Sequence, residues 1–397
     1  MNQPGQKLPA PVPWSRRLSA LLASAGRGLF GPKVALCRVA GPEKSSGLPL
    51  VIWCGARKQD KNLLLGLMFD GAPQERALGK TGLRKILQAR PTGPDCSLIV
   101  LETKKPRPEW ANGGHWFFIP GWVIGEIKLP LSEKLLRGDS VRNDLRKIRQ
   151  NGFEFKIARG GKPFRDFYRN MHVPFIRRAH GPTAVFDPIA EYRRLVTKYD
   201  LLLVGRKDSS APPVGGALIV HERTGPRLSS FGVRDGDVAL ARGGLIAAMY
   251  HFSFQHLLAN GFTSVHTGRS RAFLNDGVLR YKRKLSNTIT GGFWKSYSPG
   301  FALKIVSDTA ATRSFLQNNP FISEADDGTL HGAVFTDAAR PLPRELIQQL
   351  HKDYFYPGLS QLVIYCFQPE PPASPDHVPA ALTGNVIIRS AADVIGA

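Results

Sequence analysis

Between Leu228 and Thr267 the chain reads as a strand, a glycine-bearing loop, an apolar helix and a second strand. The strand Leu228 to Val233 gives way to Arg234-Asp235-Gly236-Asp237 and Ala241-Arg242-Gly243-Gly244. A helix runs from Leu245 to Asn260 and stops at Gly261, and Thr263 to Thr267 returns to strand spacing. Two strands joined through a helix of this length re-enter one sheet in parallel, by a right-handed crossover. That requirement sets a mixed α/β fold at the centre of the chain. The N-terminus of such a helix offers amide N–H groups and the positive end of a dipole, a natural seat for a phosphate. Arg242, Gly243 and Gly244 are therefore candidate phosphate-binding residues.

The neighbouring segments extend the same alternation. Leu201 to Gly205 and Gly215 to Val220, separated by a polar turn over Asp208 to Pro213, read as a hairpin. Ser132 to Asn151 is a basic helix pair with Gly138 between its members. Val141, Leu145 and Ile148 recur at helical spacing there, leaving Arg142, Arg146 and Arg149 on the other face, and Gly152 stops the helix. Phe153 to Ala158 is a strand, Pro163 to His180 a helix interrupted at Pro174, and Ile189 to Tyr199 another helix. Towards the N-terminus, Leu48 to Cys54 reads as a strand, Asn62 to Phe69 and Cys96 to Leu101 as similar short apolar runs, and Thr81 to Gln88 as a short helix. Trp110 to Trp122 is an aromatic patch whose strand spacing fits a core; exposed, it would stack on a sugar or a base. After Phe301 come strands at Phe301 to Val306, Gly332 to Phe335 and Gln361 to Phe367, with a helix from Arg344 to Tyr354.

Charge narrows the partners. The chain of 397 residues carries a formal charge of +23 with 42% hydrophobic residues, enough apolar surface to exclude disorder over most of its length. The excess would attract an anionic partner: a nucleotide cofactor, a transfer RNA or an anionic lipid surface. Residues 1–32 read as a basic flexible tail, with no acidic residue before Glu43. Trp14 to Leu18 and Leu21 to Ala25 fit a partly helical tail better than a cleaved export signal, and such a tail suits peripheral contact with an anionic membrane. Residues 369–397 read as a poorly ordered Pro-rich tail. Cys37, Cys54, Cys96 and Cys366 are scattered without a CxxC, as expected of buried thiols in a reducing, cytoplasmic setting. No run approaches the ~20 apolar residues of a membrane span. With no HExxH and no histidine pair at metal spacing, no metal is expected. Gly79-Lys80-Thr81 has Gln74 where a P-loop needs its first glycine, and Gly268-Arg269-Ser270-Arg271-Ala272 has alanine where a nucleophile elbow needs its second.

The run Ser140-x-Arg142-Asn143-x-x-Arg146-Lys147-x-Arg149 before Gly152, the hairpin to Gly215-Gly216, the crossover, and Gly277-Val278-Leu279-x-Tyr281-Lys282-Arg283-Lys284 occur in a telling order. From Ser140 to Leu285 this resembles the GNAT-like acyltransferases. The likeness is to the divergent branch of Fem-type aminoacyltransferases and of acetyltransferases found beside cellulose and exopolysaccharide genes. The resemblance implies a GNAT-like mixed sheet flanked by helices over 132–368, completed on its acceptor side by the C-terminal strands. It also implies an α/β region over 33–131 that would be a degenerate second copy, as in Fem-type enzymes. It further implies acyl transfer to an amine of a small molecule, sugar or peptide, from acyl-CoA or alternatively from aminoacyl-tRNA. The usual pyrophosphate loop is not matched: Leu245 stands where its central glycine belongs, with Gly243 and Gly244 beside it.

Within that resemblance the candidate roles are as follows. His266 is the first candidate base and His221-Glu222 the second, and Tyr281 is the candidate acid for the leaving group. Arg269, Arg271 and Lys282 would meet phosphate or carboxylate, Asn275 would join them at the donor, and Arg142, Asn143 and Arg146 would meet substrate. A reading from another class is a nucleic-acid- or membrane-binding protein whose acyltransferase fold has lost activity. A compact cation cluster at Gly243-Gly244 favours CoA, and a long basic stripe favours RNA.

Overall fold

A computed structural model describes residues 33–89, 96–104, 114–181, 184, 189–190, 198–285, 288–290, 299–368 and 378–396. The tail segment Trp14 to Ala25, the first part of the aromatic patch from Trp110, most of the helix expected over 189–199 and the Pro-rich run after Pro369 lie outside them. Tyr199 itself opens a strand.

The strands form three sheets. The first joins β1 (Lys33–Pro42), β2 (Pro49–Gly55), β3 (Gln74–Gly82), β4 (Leu98–Thr103), β5 (Phe117–Ile119) and β13 (Gly300–Ile305) in the order β3-β1-β2-β4-β13-β5. Its pairs are antiparallel except β2 with β4. Between β2 and β3 lies a helix, α1 (Lys58–Met68), where the sequence reading expects a strand at Asn62 to Phe69. Leu64, Leu65 and Met68 are buried, a three-to-four spacing that a short apolar run hides among its unburied leucines. Phe117 packs edge-on against Phe321 and Tyr365, so this part of the aromatic patch is core.

The second sheet carries the crossover. Its strands are β6 (Val123–Lys128), β7 (Phe153–Ala158), β8 (Tyr199–Arg206), β9 (Gly215–Glu222), β10 (Gly225–Val233), β11 (Ser264–Ser270) and β12 (Thr288–Thr290), in the order β12-β6-β11-β10-β9-β8-β7. Only β10 and β11 run parallel, as the strand-loop-helix-strand pattern requires. The strand beyond β11 is β6, from the N-terminal region. The C-terminal strands expected there lie elsewhere: β13 is in the first sheet, and β14 (Phe321–Glu324), β15 (Leu330–Thr336), β16 (Gln361–Cys366) and β17 (Val386–Ser390) form the third. β17 pairs in parallel with β16 and buries Val386, so this part of the expected tail belongs to a sheet.

Helices cover both faces of the second sheet. α2 (Asp139–Gln150) has Asp139 in its first turn and Lys147 and Arg149 in its last, complementing the helix dipole, and buries Val141 and Ile148. The crossover helix α3 (Ile246–Ala259) is apolar nearly all round because it is covered nearly all round. Ala247, Ala248, Met249 and Phe252 share a core with Leu202, Val204 and Ala217 of the sheet and Ile148 of α2. Over the opposite face, Gly161–Asp166, Phe167–His172 and Val173–His180 make one helical stretch whose middle is a wide π-type turn. The irregularity falls at Phe167–His172, just before the Pro174 interruption expected from sequence. No helix among the described residues is long and apolar enough to cross a membrane.

Candidate functional site

β10 and β11 share one registered pair, Arg227 with His266. Each strand carries an extra residue beyond that point: Ser229 on β10 between the positions that face Ile219 and Leu218, and one more on β11 between His266 and Arg269. Bulges of this kind end regular pairing and re-aim side chains. The backbones still touch at Gly268, where φ is 68° and a Cβ would lie 2.7 Å from the Leu228 carbonyl oxygen. The strands therefore leave register towards their C-terminal ends, where the loop into α3 begins.

That loop is partly helical. Asp237 accepts from the amides of Ala239 and Leu240 and caps a first turn, Val238–Leu240. Gly244 (φ 102°) then kinks the chain before α3. A Cβ there would sit 2.9 Å from Lys147 Cβ, so glycine is required both by its backbone angle and by the close approach of α2. Lys147 Nζ donates to the Arg242 carbonyl at 3.2 Å and Asn151 Nδ2 to the Gly243 carbonyl at 3.1 Å. One flank of α2 thus holds the Arg242-Gly243-Gly244 segment. Arg142, Arg146 and Arg149 follow one another at helical spacing on the neighbouring, exposed flank and, with Asp139 and Asn143, line an open hollow of about 350 Å³. Arg146 also donates to Asn143.

The helix after β11, α4 (Gly277–Arg283), is capped by Asp276. Tyr281 on α4 stacks on Tyr250 of α3 with ring centroids 5.3 Å apart. Its hydroxyl donates to Asp144 of α2 at 3.4 Å, and the Lys284 ammonium binds the same carboxylate oxygen at 2.5 Å while lying 4.0 Å from the tyrosine ring. Burial first, then the Asp144 charge, push the Tyr281 phenol up and keep it protonated. Gly277, Arg280, Tyr281, Arg283 and Lys284 line a second open hollow of about 500 Å³.

Other predicted residues are placed differently. His266 sits at the registered end of the β10–β11 pair, facing Glu126 of β6. His221 and Glu222 do not work together: His221 Nε2 and His256 Nε2 both bond Asp200 Oδ2, at 2.8 and 2.9 Å, and Glu222 pairs with Arg227. Lys282, expected to meet an anion, is buried and donates to the carbonyls of Gly268 and Arg269 and to Ser270 Oγ. Arg271 lies 3.8 Å from the Trp122 ring centroid and bonds Asp60 of α1, Arg269 lies 5.2 Å from the same ring, and Asn275 donates to the Asn318 carbonyl.

The sequence reading passes over His172. It ends the wide turn Phe167–His172, and its Nδ1 is 2.8 Å from the Phe231 carbonyl of β10, two residues beyond the Ser229 bulge. A carbonyl only accepts, so Nδ1 carries a proton here, and in the neutral ring the lone pair is the one on Nε2. Gly232 next door admits this approach, since a Cβ there would meet the His172 amide nitrogen at 2.7 Å. The glycine on the facing strand is the one sequence trace of this contact, since His172 sits among the charged and polar residues Arg165, Asp166, Arg169 and Asn170 of its own helix.

No family model and no curated protein matches the chain. Its neighbours among solved structures include a lysylphosphatidylglycerol synthetase domain, an L-PGS and GCN5-related N-acetyltransferases. The C-terminal domain of an Agrobacterium fabrum protein described as a lysylphosphatidylglycerol synthetase is 11% identical, over 70% of this chain and 83% of that one, with a TM-score of 0.33. L-PGS of Bacillus licheniformis is 12% identical over 72% and 90%, with a TM-score of 0.32. A GCN5-related N-acetyltransferase of Sphaerobacter thermophilus is 16% identical over 52% and 59%, with a TM-score of 0.31. Likeness of this degree carries no functional argument, so function rests on the chain's own geometry.

Proposed function

We propose that the protein is an acyltransferase that moves an acyl group from a phosphate-bearing donor to an amine, with acyl-CoA as the donor. The observation that carries this reading is the parallel pair β10–β11 losing register ahead of a loop whose kinked Arg242-Gly243-Gly244 segment is held by Lys147 and Asn151 of α2. Donor phosphates would sit at Gly243 and Gly244 beside Lys147 and Arg242, and the acyl carbonyl would lie along β10 past the Ser229 bulge, where backbone amides can polarise it. His172, with its lone pair on Nε2 and its ring tied to Phe231, takes the amine proton in this scheme. It is preferred to His266, which lies at the closed end of the strand pair. Tyr281, held by Asp144 and Lys284, would stay protonated and serve as a hydrogen-bond donor to the leaving thiolate.

A second donor, aminoacyl-tRNA, is favoured by a separate observation. The exposed Arg142, Arg146 and Arg149 of α2 and Arg280 of α4 flank the Asp144–Lys284 link on two helices, which is more cation than one pyrophosphate needs. Thermal unfolding with acetyl-CoA and with a tRNA pool, at low and moderate salt, separates the two. A saturable rise in Tm with acetyl-CoA that survives the Arg142/Arg146/Arg149→Gln triple replacement supports the first reading. A salt-sensitive rise with tRNA alone, abolished by that replacement, supports the second, and no shift with either ligand sinks both.

A further inference from the structure

β1 and β2 pair antiparallel with Cys37 directly opposite Cys54. Directly opposed residues of such a pair point to the same face, with Cα atoms about 4.5–5.5 Å apart, within the span of roughly 4.4–6.8 Å that a disulfide bridges. Both thiols are free. Cys37 Sγ donates to the Cys54 carbonyl at 3.1 Å, so it leans towards its partner strand.

The two cysteines have unlike surroundings. Cys54 is fully buried in the core that also holds Leu64, Leu65 and Met68 of α1, and Cys37 is half-buried at the rim of that core. Lys61 of α1, ion-paired with Glu75 of β3, stands over the rim. A side-chain hydrogen bond with the Cys54 thiol, distinct from the carbonyl contact, and then the Lys61 ammonium hold the Cys37 thiol below its ordinary range against the opposing effect of burial. The side-chain hydrogen bond with Cys37, and then burial, push the Cys54 thiol up, with Lys61 opposing them. A reachable thiol beside a cation attacks, and a sequestered thiol opposite it can only resolve.

We propose that Cys37 and Cys54 form a modification site: a thiol pair that closes into a cross-strand disulfide when the folded protein meets a small-molecule disulfide oxidant of the oxidised-glutathione class. Cys37 thiolate attacks one sulfur of the oxidant, whose S–S bond breaks and releases one glutathione thiolate. Cys54 then gives its proton to solvent and attacks Cys37 Sγ, displacing the second glutathione. Two electrons pass from the protein pair to the oxidant, and two glutathione thiols are the products.

The experiment treats the full folded chain with oxidised glutathione, quenches with acid, and reads the intact mass and a tryptic map. The expected product has lost two hydrogens and links the peptide Val34–Arg38 to Ser45–Arg57. Cys54→Ala is expected to stall as a glutathionyl adduct on Cys37, and Cys37→Ala to stay unmodified at Cys54. A lasting glutathionyl adduct in the wild type overturns the proposal. So does a link to the buried Cys96 or Cys366, or no reaction under conditions that modify the unfolded chain; the wild-type map alone decides even where a variant does not fold.

Discussion

Lys282 gives the most direct test of how the open end of β11 is held. Its side chain is buried, with Nζ donating to the Gly268 carbonyl at 3.2 Å, the Arg269 carbonyl at 3.1 Å and Ser270 Oγ at 2.8 Å. Burial pushes this ammonium down to about 7, with the Asp276 carboxylate working weakly the other way. An unfolded lysine titrates near 10.4. Below pH ~7 both states hold the proton and the burial cost is present in full. Between pH ~7 and ~10 the unfolded chain keeps a proton that the folded chain releases, so stability rises with pH. The slope is at most that of one proton, roughly 1.4 kcal/mol per pH unit, and the whole interval corresponds to about 5 kcal/mol as a ceiling. The three acceptors around Nζ favour the charged form and reduce it. Urea unfolding of the wild type and of Lys282→Met at several pH values from 7 to 9 isolates the effect. Wild-type stability should climb relative to the variant by on the order of 1 kcal/mol per pH unit. Parallel curves would mean that the carbonyls compensate burial completely, and the reasoning would fail.

Two further outcomes are expected. Gly244→Ala places a side chain at φ 102° and 2.9 Å from Lys147 Cβ, which should cost about 2–4 kcal/mol in urea unfolding; an unchanged midpoint would show that α2 does not clamp the kink. Asp200→Asn removes a carboxylate that burial works to raise and that the His256 and His221 hydrogen bonds hold below the ordinary range. Its loss should cost roughly 1–3 kcal/mol near neutral pH. Because the folded carboxyl titrates below the unfolded one, this contribution is present above pH ~4 and fades as pH falls further, so wild type and variant should converge there; a gap that stays constant into acid would refute it.

Local order was readable from the chain where periodicity is unambiguous. The apolar α3 between two strands forced the β10–β11 crossover, and Val141 and Ile148 marked the buried face of α2. What escaped depends on contacts far apart in sequence. Nothing near Lys282 distinguishes a surface lysine from one folded back onto Gly268 and Arg269. Nothing near His221 reveals that its partner is Asp200, shared with His256 on another element. The Leu64, Leu65 and Met68 spacing of α1 was masked by neighbouring apolar residues, and β17 follows a Pro-rich run that reads as the start of a tail. His172 is the instructive case: its role is set by a wide turn in its own helix and by the absence of a side chain at Gly232, neither of which has a periodic signature.

The sheets also trade strands across the chain. β6, from the N-terminal region, separates β11 from β12, and β13, from beyond the crossover, lies between β4 and β5. The exchange brings N-terminal residues to the open end of β11: Trp122, just before β6, receives Arg269 and Arg271 on its ring, and Asp60 of α1 binds the Arg271 guanidinium. Burial lowers the Arg271 guanidinium only partway, since the Asp60 charge opposes it. Residues after Gly268 that looked like free anion ligands are thus committed to holding β11 against the other half of the molecule. Exposed cations stand instead on the two sides of Asp144, Arg142, Arg146 and Arg149 on α2 and Arg280 on α4, while Arg283 donates to the Asp353 and Phe355 carbonyls and Lys284 binds Asp144. Under the proposed function a donor held there would be gripped by helices packed on the second sheet, while Asp60 and Trp122 hold the end of β11.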